Sequence, residues 1–110
     1  MSQARSQTIQ RLNDALRQTF AGGRVMMTDG INALPDDVKA KVLSAVRSFS
    51  DFTEDNDPHK EHDFGSLEVN GEKFFWKIDY YDKSMEYGSE DPADPAVTTR
   101  VLTIMLASEY

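Results

Sequence analysis

The chain has 110 residues and carries 19 carboxylates against 12 lysines and arginines, for a formal net charge of −7. This length allows one domain with its own hydrophobic core, and an apolar content of 39% predicts a folded chain rather than a disordered one. Cysteine is absent, which excludes disulfides, thiolate metal ligands and cysteine nucleophiles. The negative charge argues against direct nucleic-acid binding and against anionic membrane surfaces.

The distribution of the charge points to a partner. Residues 51–94 hold 14 carboxylates, four lysines and no arginine, whereas residues 1–50 are net basic. A fold needs no such segregation, so it indicates a surface that binds a basic protein. The N-terminus lacks the apolar run of a secretory signal, and no apolar run is long enough to span a membrane. We therefore expect a cytoplasmic protein that needs no cofactor and makes no membrane contact.

The first half of the chain predicts a helix, a strand and a second helix. Apolar side chains recur at helical spacing over residues 6–20, after a flexible N-terminus at about residues 1–7. Residues 24–28 predict a short strand. The second helix is predicted for residues 35–50, which begin with a proline, the residue that best fits the first turn of a helix.

Asn70-Gly71 predicts a β-hairpin, because both residues tolerate the positive φ angles of a type I′ turn. A two-residue loop then pairs Val69 with Glu72. This register places five apolar side chains on one core face: Leu67, Val69, Phe74, Trp76 and Ile78. Phe75 points the other way, and we expect helices to cover both faces of the sheet.

A polar loop is predicted for residues 82–94, followed by a final helix over residues 96–109 that Asp94 and Pro95 would begin. The apolar stripe of this helix is wide, which favours either deep burial or a homodimer formed through it. The predicted fold is a single α+β domain over residues 1–110. Its order is helix, strand, helix, hairpin, helix, with an antiparallel sheet packed against the helices.

Both histidines of the chain lie in the polar segment of residues 51–63. Imidazole and carboxylate groups suit zinc or another first-row cation, so His59, His62 and Asp63 are candidate metal ligands. The alternative, which we favour, is a solvated loop whose Asp and Asn side chains organise turns.

The hairpin register, extended beyond the strands, places His62 opposite Asp79 and near Lys77. A histidine held by a carboxylate beside a lysine suits a general base, as in a small hydrolase. The alternative is a histidine that caps a strand edge. No catalytic set is complete, so an enzyme is the less favoured interpretation. Gly22-Gly23 is too short for a phosphate-binding loop, and no lysine follows it.

Several runs of the chain are specific enough to indicate a family: residues 23–25, 51–58, 61–65, 75–82, 87–89, 91–95 and 100–107. In these runs the chain resembles, from about Leu12 onward, a family of small uncharacterised alphaproteobacterial proteins, a domain of unknown function. The resemblance implies a bacterial cytoplasmic protein of the kind carried by plasmids or prophage. It supplies no activity and no catalytic residue.

The segregated charge predicts an acidic protein-interaction module, such as an inhibitor or nucleic-acid mimic encoded by a mobile element, that engages a basic protein surface. The predicted contact residues are Asp51, Glu54, Asp55, Asp57, Asp79, Asp82, Glu86, Tyr87, Glu90 and Asp91. A small metal-dependent or His/Asp-based hydrolase is the alternative.

Overall fold

One four-stranded sheet organises the protein, whose computed structural model describes residues 3–110. The elements are α1 (Gln3–Thr19), β1 (Arg24–Met27), α2 (Asp29–Asn32), α3 (Asp36–Arg47), β2 (Phe64–Val69), β3 (Glu72–Tyr81), β4 (Thr99–Leu106) and a 3₁₀ turn (Ala107–Glu109). The strand order is β1-β4-β3-β2. Strand β1 runs parallel to β4 and the other neighbours are antiparallel, so the α+β class is confirmed but the sheet is mixed.

Helix α1 begins earlier than the sequence predicts. The flexible N-terminus was expected at residues 1–7, yet residues 3–7 belong to α1, and residues 1 and 2 lie outside the described residues. Among the described residues, no helix is both long and apolar enough to cross a membrane. The buried side of α1 is partly polar, since Asn13 and Arg17 are buried beside Ile9 and Leu16.

The helices pack their apolar residues on one face of the sheet. The buried core cluster consists of Leu16, Ile31, Val42, Val46, Phe74, Trp76, Ile78, Leu102 and Ile104. The predicted hairpin register is confirmed, with Val69 paired to Glu72 and Gly65 opposite Trp76. The φ angle of Asn70 is 53°, as a type I′ turn requires.

The opposite face of the sheet corrects the expectation that helices cover both faces. Within residues 3–110, each α-helix contributes its buried apolar residues to the face that carries Trp76. On the other face, Phe75 contacts the rings of Phe64 and Tyr110, with centroid distances of 5.3 Å in both cases. Tyr110 itself is exposed. The protein is therefore a two-layer structure with helices on one side.

The predicted helix over residues 96–109 is wrong, because most of this segment forms β4, one of the two inner strands of the sheet. A strand flanked on both edges gains hydrogen bonds from two neighbours, here β1 and β3. Its wide apolar stripe reflects burial on both faces of the sheet, which a periodicity argument cannot distinguish from a buried helix. The predicted homodimer requires a C-terminal α-helix, and the described residues contain none.

Both acidic segments leave the same end of the sheet. Strand β2 begins there, β3 ends there and β4 begins there, since Phe64 pairs with Lys77 and Tyr81 pairs with Thr99. We call residues 51–63, before β2, the first acidic loop, and residues 82–94, after β3, the second acidic loop. The hairpin turn and the 3₁₀ turn lie at the opposite end.

Candidate protein-interaction surface

The start of the second acidic loop is held by one carboxylate. Asp82 Oδ1 accepts hydrogen bonds from Ser84 Oγ at 2.8 Å and from the backbone N–H groups of Glu86 at 3.1 Å and Tyr87 at 3.4 Å. The Ser84 hydroxyl, followed by the backbone donors, holds the pKa of Asp82 below its usual range. A bridge between Tyr81 and Gly88 closes the loop. Asp82 therefore fixes the loop conformation.

Tyr87 is the most prominent aromatic group of this loop. Its side chain is 72% exposed, although Asp82 and Gly88 fix the backbone on either side of it. It lines a groove of about 420 Å³ together with Val97, which is also exposed. Asp82 and Glu90 line the same groove, and so does Lys83, which lies between Asp82 and the remainder of the loop. An aromatic face among carboxylates is thus presented on a fixed loop.

The remainder of the second acidic loop is attached to α1 and to Thr98, the residue before β4. The Asp91 carboxylate accepts a hydrogen bond from Arg5 at 2.9 Å. Ser89 and Thr98 share a hydrogen bond between their hydroxyls at 2.6 Å. Asp91 is thereby partly neutralised, whereas Glu86 and Glu90 are exposed. The charge available to a partner is therefore concentrated at Glu86 and Glu90.

The buried carboxylate of Asp57 stabilises the conformation of the first acidic loop. It is only 5% exposed, and its Oδ1 accepts the backbone N–H groups of Glu61 and His62, both at 3.1 Å. This burial corrects the prediction that Asp57 belongs to the contact surface. The other predicted carboxylates of this loop are exposed: Asp51, Glu54 and Asp55.

His62 contacts α1 and not β3, which makes the predicted His62–Asp79 pair wrong. Its ring stacks on Phe52 with centroids 3.7 Å apart, and its Nδ1 lies 2.9 Å from Asp14 Oδ1. Strand β2 begins only at Phe64, and the φ of 55° at His62 turns the chain away from the ladder. Asp79 instead pairs with Lys77 at 2.9 Å, on the sheet face opposite the helices.

The candidate metal ligands are not brought together either. Among residues 3–110, no group of three or more histidines and carboxylates is arranged to hold a metal ion. His59 is exposed, whereas His62 lies between Asp14 and Asp57, with its Nε2 3.6 Å from Asp57 Oδ2. The histidine therefore connects the first acidic loop to α1.

A buried polar network beneath α1 joins the two acidic loops. Asn13 Nδ2 donates to the Glu61 backbone carbonyl at 3.0 Å and to the Tyr80 hydroxyl at 2.8 Å, while its Oδ1 accepts from Arg100 Nε at 2.8 Å. Arg100 also donates to the Pro92 carbonyl. Burial raises the pKa of Tyr80 and lowers that of Arg100. Glu61 belongs to the first loop and Pro92 to the second, so Asn13 couples their positions.

Arg17 anchors the first acidic loop to the core. Its side chain is buried, with the guanidinium 5.4 Å from the Phe52 ring centroid and 5.2 Å from that of Trp76. It donates to Asp14 at 3.0 Å and to the Val46 carbonyl at 3.2 Å. Asn13, Arg17 and the network around them were not predicted from the sequence. The available signal was that both lie on the buried stripe of α1.

The partial burial of the Asp63 carboxyl should make the stability of the protein depend on pH. Desolvation by burial is the main cause that raises the pKa of Asp63 above the usual 3.8, and the negative charge of Glu61 raises it further. The folded state thus favours the protonated form, and stability falls as the pH rises from 3.8 through the folded pKa. We expect Asp63→Asn to raise the free energy of unfolding at neutral pH, with the gain shrinking as the pH falls towards 4. Urea denaturation at several pH values measures this.

The control for Asp63 is Asp55→Asn, which makes the same change in net charge at an exposed position of the same loop. A gain for Asp55→Asn as large as that for Asp63→Asn would assign the effect to net charge and contradict the burial argument.

Comparison with known families adds one finding. A profile of the family described as "Protein of unknown function (DUF3768)" matches residues 27–109. The match begins at the end of β1 and includes both acidic loops and strands β2 to β4. It confirms the resemblance to a family of unknown function that the sequence indicates. No curated protein and no solved structure matches the chain.

Proposed function

Because the chain belongs to the family of proteins of unknown function DUF3768, which brings no activity with it, we propose its function from its own geometry. The protein is an interaction module that binds a lysine- or arginine-rich segment of a partner protein. Tyr87 and the carboxylates of the second acidic loop form the contact. The observation that carries the proposal is the 72% exposure of Tyr87 on a loop whose backbone is fixed.

A tyrosine in this setting suits a cationic side chain. Its ring offers a large rigid area with little loss of side-chain entropy, and its face attracts lysine and arginine. Carboxylates beside the ring, here Glu86 and Glu90, add charge complementarity. Because Asp82 holds the loop before binding, little ordering free energy is lost on association.

The first acidic loop extends the negative field of the same end of the sheet. Asp51, Glu54 and Asp55 are exposed there. Such charges act over a Debye length of about 8 Å at physiological salt, and they increase the rate of association more than the final affinity. The basic clefts of nucleic-acid-binding proteins match this distribution of charge, so we propose that the partner belongs to that class.

The test uses a fluorescein-labelled peptide of about nine arginines as the probe, read by fluorescence anisotropy. We expect Tyr87→Ala to weaken binding about tenfold, because it removes a central aromatic contact. The double variant Glu86→Gln, Glu90→Gln should weaken binding by a similar factor and flatten its dependence on salt.

The matched control is Glu68→Gln, Glu72→Gln, which removes the same charge from the hairpin at the opposite end of the sheet. It should leave affinity almost unchanged. If this control weakens binding as much as the loop variant, or if binding of the unaltered protein is independent of salt, the proposed contact surface is wrong.

A further inference from the structure

A second pocket at the acidic end of the sheet has the opposite charge. It lies between α1, the segment that precedes β1, and the start of β4, with a volume of about 360 Å³. Arg24, Lys83 and Arg100 all line it, and they come from three separate parts of the chain. Leu12 and Pro95 contribute apolar wall. Three basic residues thus line one pocket of a protein whose net charge is −7.

Within residues 3–110, the side chains of Arg24 and Lys83 have no hydrogen-bond or ion-pair partner, although carboxylates outnumber basic residues in the chain. Opposite charges nearby would ordinarily attract such side chains. Their arrangement therefore leaves positive charge available to a bound anion.

Arg100 is a buried cation held by neutral groups. It is 3% exposed, and its hydrogen bonds go to the Asn13 side-chain oxygen and the Pro92 carbonyl. The carboxylate of Glu61 stabilises the Arg100 cation only through space, since its hydrogen bond comes from the Tyr80 hydroxyl. A buried charge without a carboxylate partner is costly. A bound anion would remove this cost.

The glycine turn before β1 adds backbone donors. Gly22 has a φ of 94°, and the N–H groups of Gly22 and Gly23 donate no hydrogen bond within residues 3–110. Gly23 lies against the backbone of Arg100, where a Cβ would come within 2.6 Å of the carbonyl oxygen. Successive N–H groups in such turns form anion-binding concavities. The lysine that the local sequence lacks is supplied by Lys83 from the second acidic loop.

We propose that this pocket binds a small phosphate monoester. The phosphate is held by Arg24, Lys83 and the Gly22 and Gly23 amides, with Arg100 behind it, and the ester group packs on the apolar wall. Several convergent donors and cations match the three oxygens and double charge of a phosphate better than a single carboxylate. Flanking carboxylates such as Glu90 repel an extended polyanion, which restricts the site to a small ligand.

The experiment titrates the full chain with phenyl phosphate and records ¹H–¹⁵N spectra. We expect the amide signals of Gly22 and Gly23 to shift and saturate, and phenyl phosphate to bind more tightly than inorganic phosphate because of the apolar wall. Arg24→Gln and Lys83→Gln should each weaken binding about tenfold, since each removes a charge-assisted contact. Lys73→Gln, at an exposed lysine of the hairpin, is the matched control and should bind as the unaltered protein does.

Three results would overturn the proposal: unshifted glycine amides, equal binding by the Arg24→Gln and Lys73→Gln proteins, or inorganic phosphate binding as tightly as the ester. Tighter binding of a short DNA duplex than of phenyl phosphate would also contradict the restriction to small ligands. Tyr87→Ala should leave phosphate binding unchanged, which separates this site from the proposed peptide contact.

Discussion

Replacing Gly65 with alanine is expected to lower the free energy of unfolding by about 3 kcal/mol. A Cβ at this position would lie 2.3 Å from Trp76 Nε1 and 2.9 Å from the Phe49 ring. Trp76 is fully buried and packs edge-on against Phe49 and Phe52. Its ring cannot move away without displacing other core side chains, so the strain remains in the folded state.

Urea denaturation measures this loss, and the emission of Trp76, the only tryptophan of the chain, reports the environment of its ring. The control is Gly71→Ala in the hairpin turn, where no atom lies within 4 Å of the added Cβ but the φ is +82°. It should cost about 1 kcal/mol through backbone strain alone. A loss at Gly65 no larger than that at Gly71 would show that the core accommodates the methyl group.

The hairpin that places Gly65 opposite Trp76 could be predicted because its determinants are local. Asn70-Gly71 selects a two-residue turn, and the recurrence of Phe74, Trp76 and Ile78 at every second position then permits one register. The same register failed when it was extended to His62. The Asp63 carbonyl still accepts the Ile78 N–H at 2.8 Å, but before Asp63 the chain follows the hydrogen bonds of Asp57, which no strand pattern encodes.

The C-terminal strand could not be predicted for a different reason. Val101, Leu102, Ile104 and Met105 satisfy both a wide helical stripe and a strand buried on both faces. The choice depends on β1 and β3, which pair with β4 from distant parts of the chain. Local patterns do not contain that information, and tertiary pairing overrides them.

The polar character of the second acidic loop could be predicted from the sequence, whereas the network that supports it could not. Glu86 and Glu90 are exposed, as the polar composition of this loop predicts, because a solvated loop needs no distant partner. Asn13 and Arg100 are 87 positions apart in the sequence. Their hydrogen bond is evident only from the structure. Polarity alone assigns both residues to the surface.

Asn13→Ala is expected to lower the free energy of unfolding by about 3 kcal/mol. The substitution removes the acceptor of the buried Arg100 guanidinium and the donor to Tyr80 and the Glu61 carbonyl. Urea denaturation measures the loss. The control is Gln10→Ala, on the same helix, whose single hydrogen bond to the exposed Lys60 carbonyl should contribute less than about 1 kcal/mol.

The same variant tests whether the network couples the two acidic loops. Because Asn13 contacts Glu61 directly and Pro92 through Arg100, its loss should increase amide hydrogen exchange in both loops. Binding of the arginine peptide should weaken as the second loop loses its preorganised geometry. Faster exchange confined to the first loop, with unchanged peptide affinity, would mean that Asn13 supports only its direct neighbour. The second loop would then depend on Asp82 and on the Arg5–Asp91 ion pair for its position.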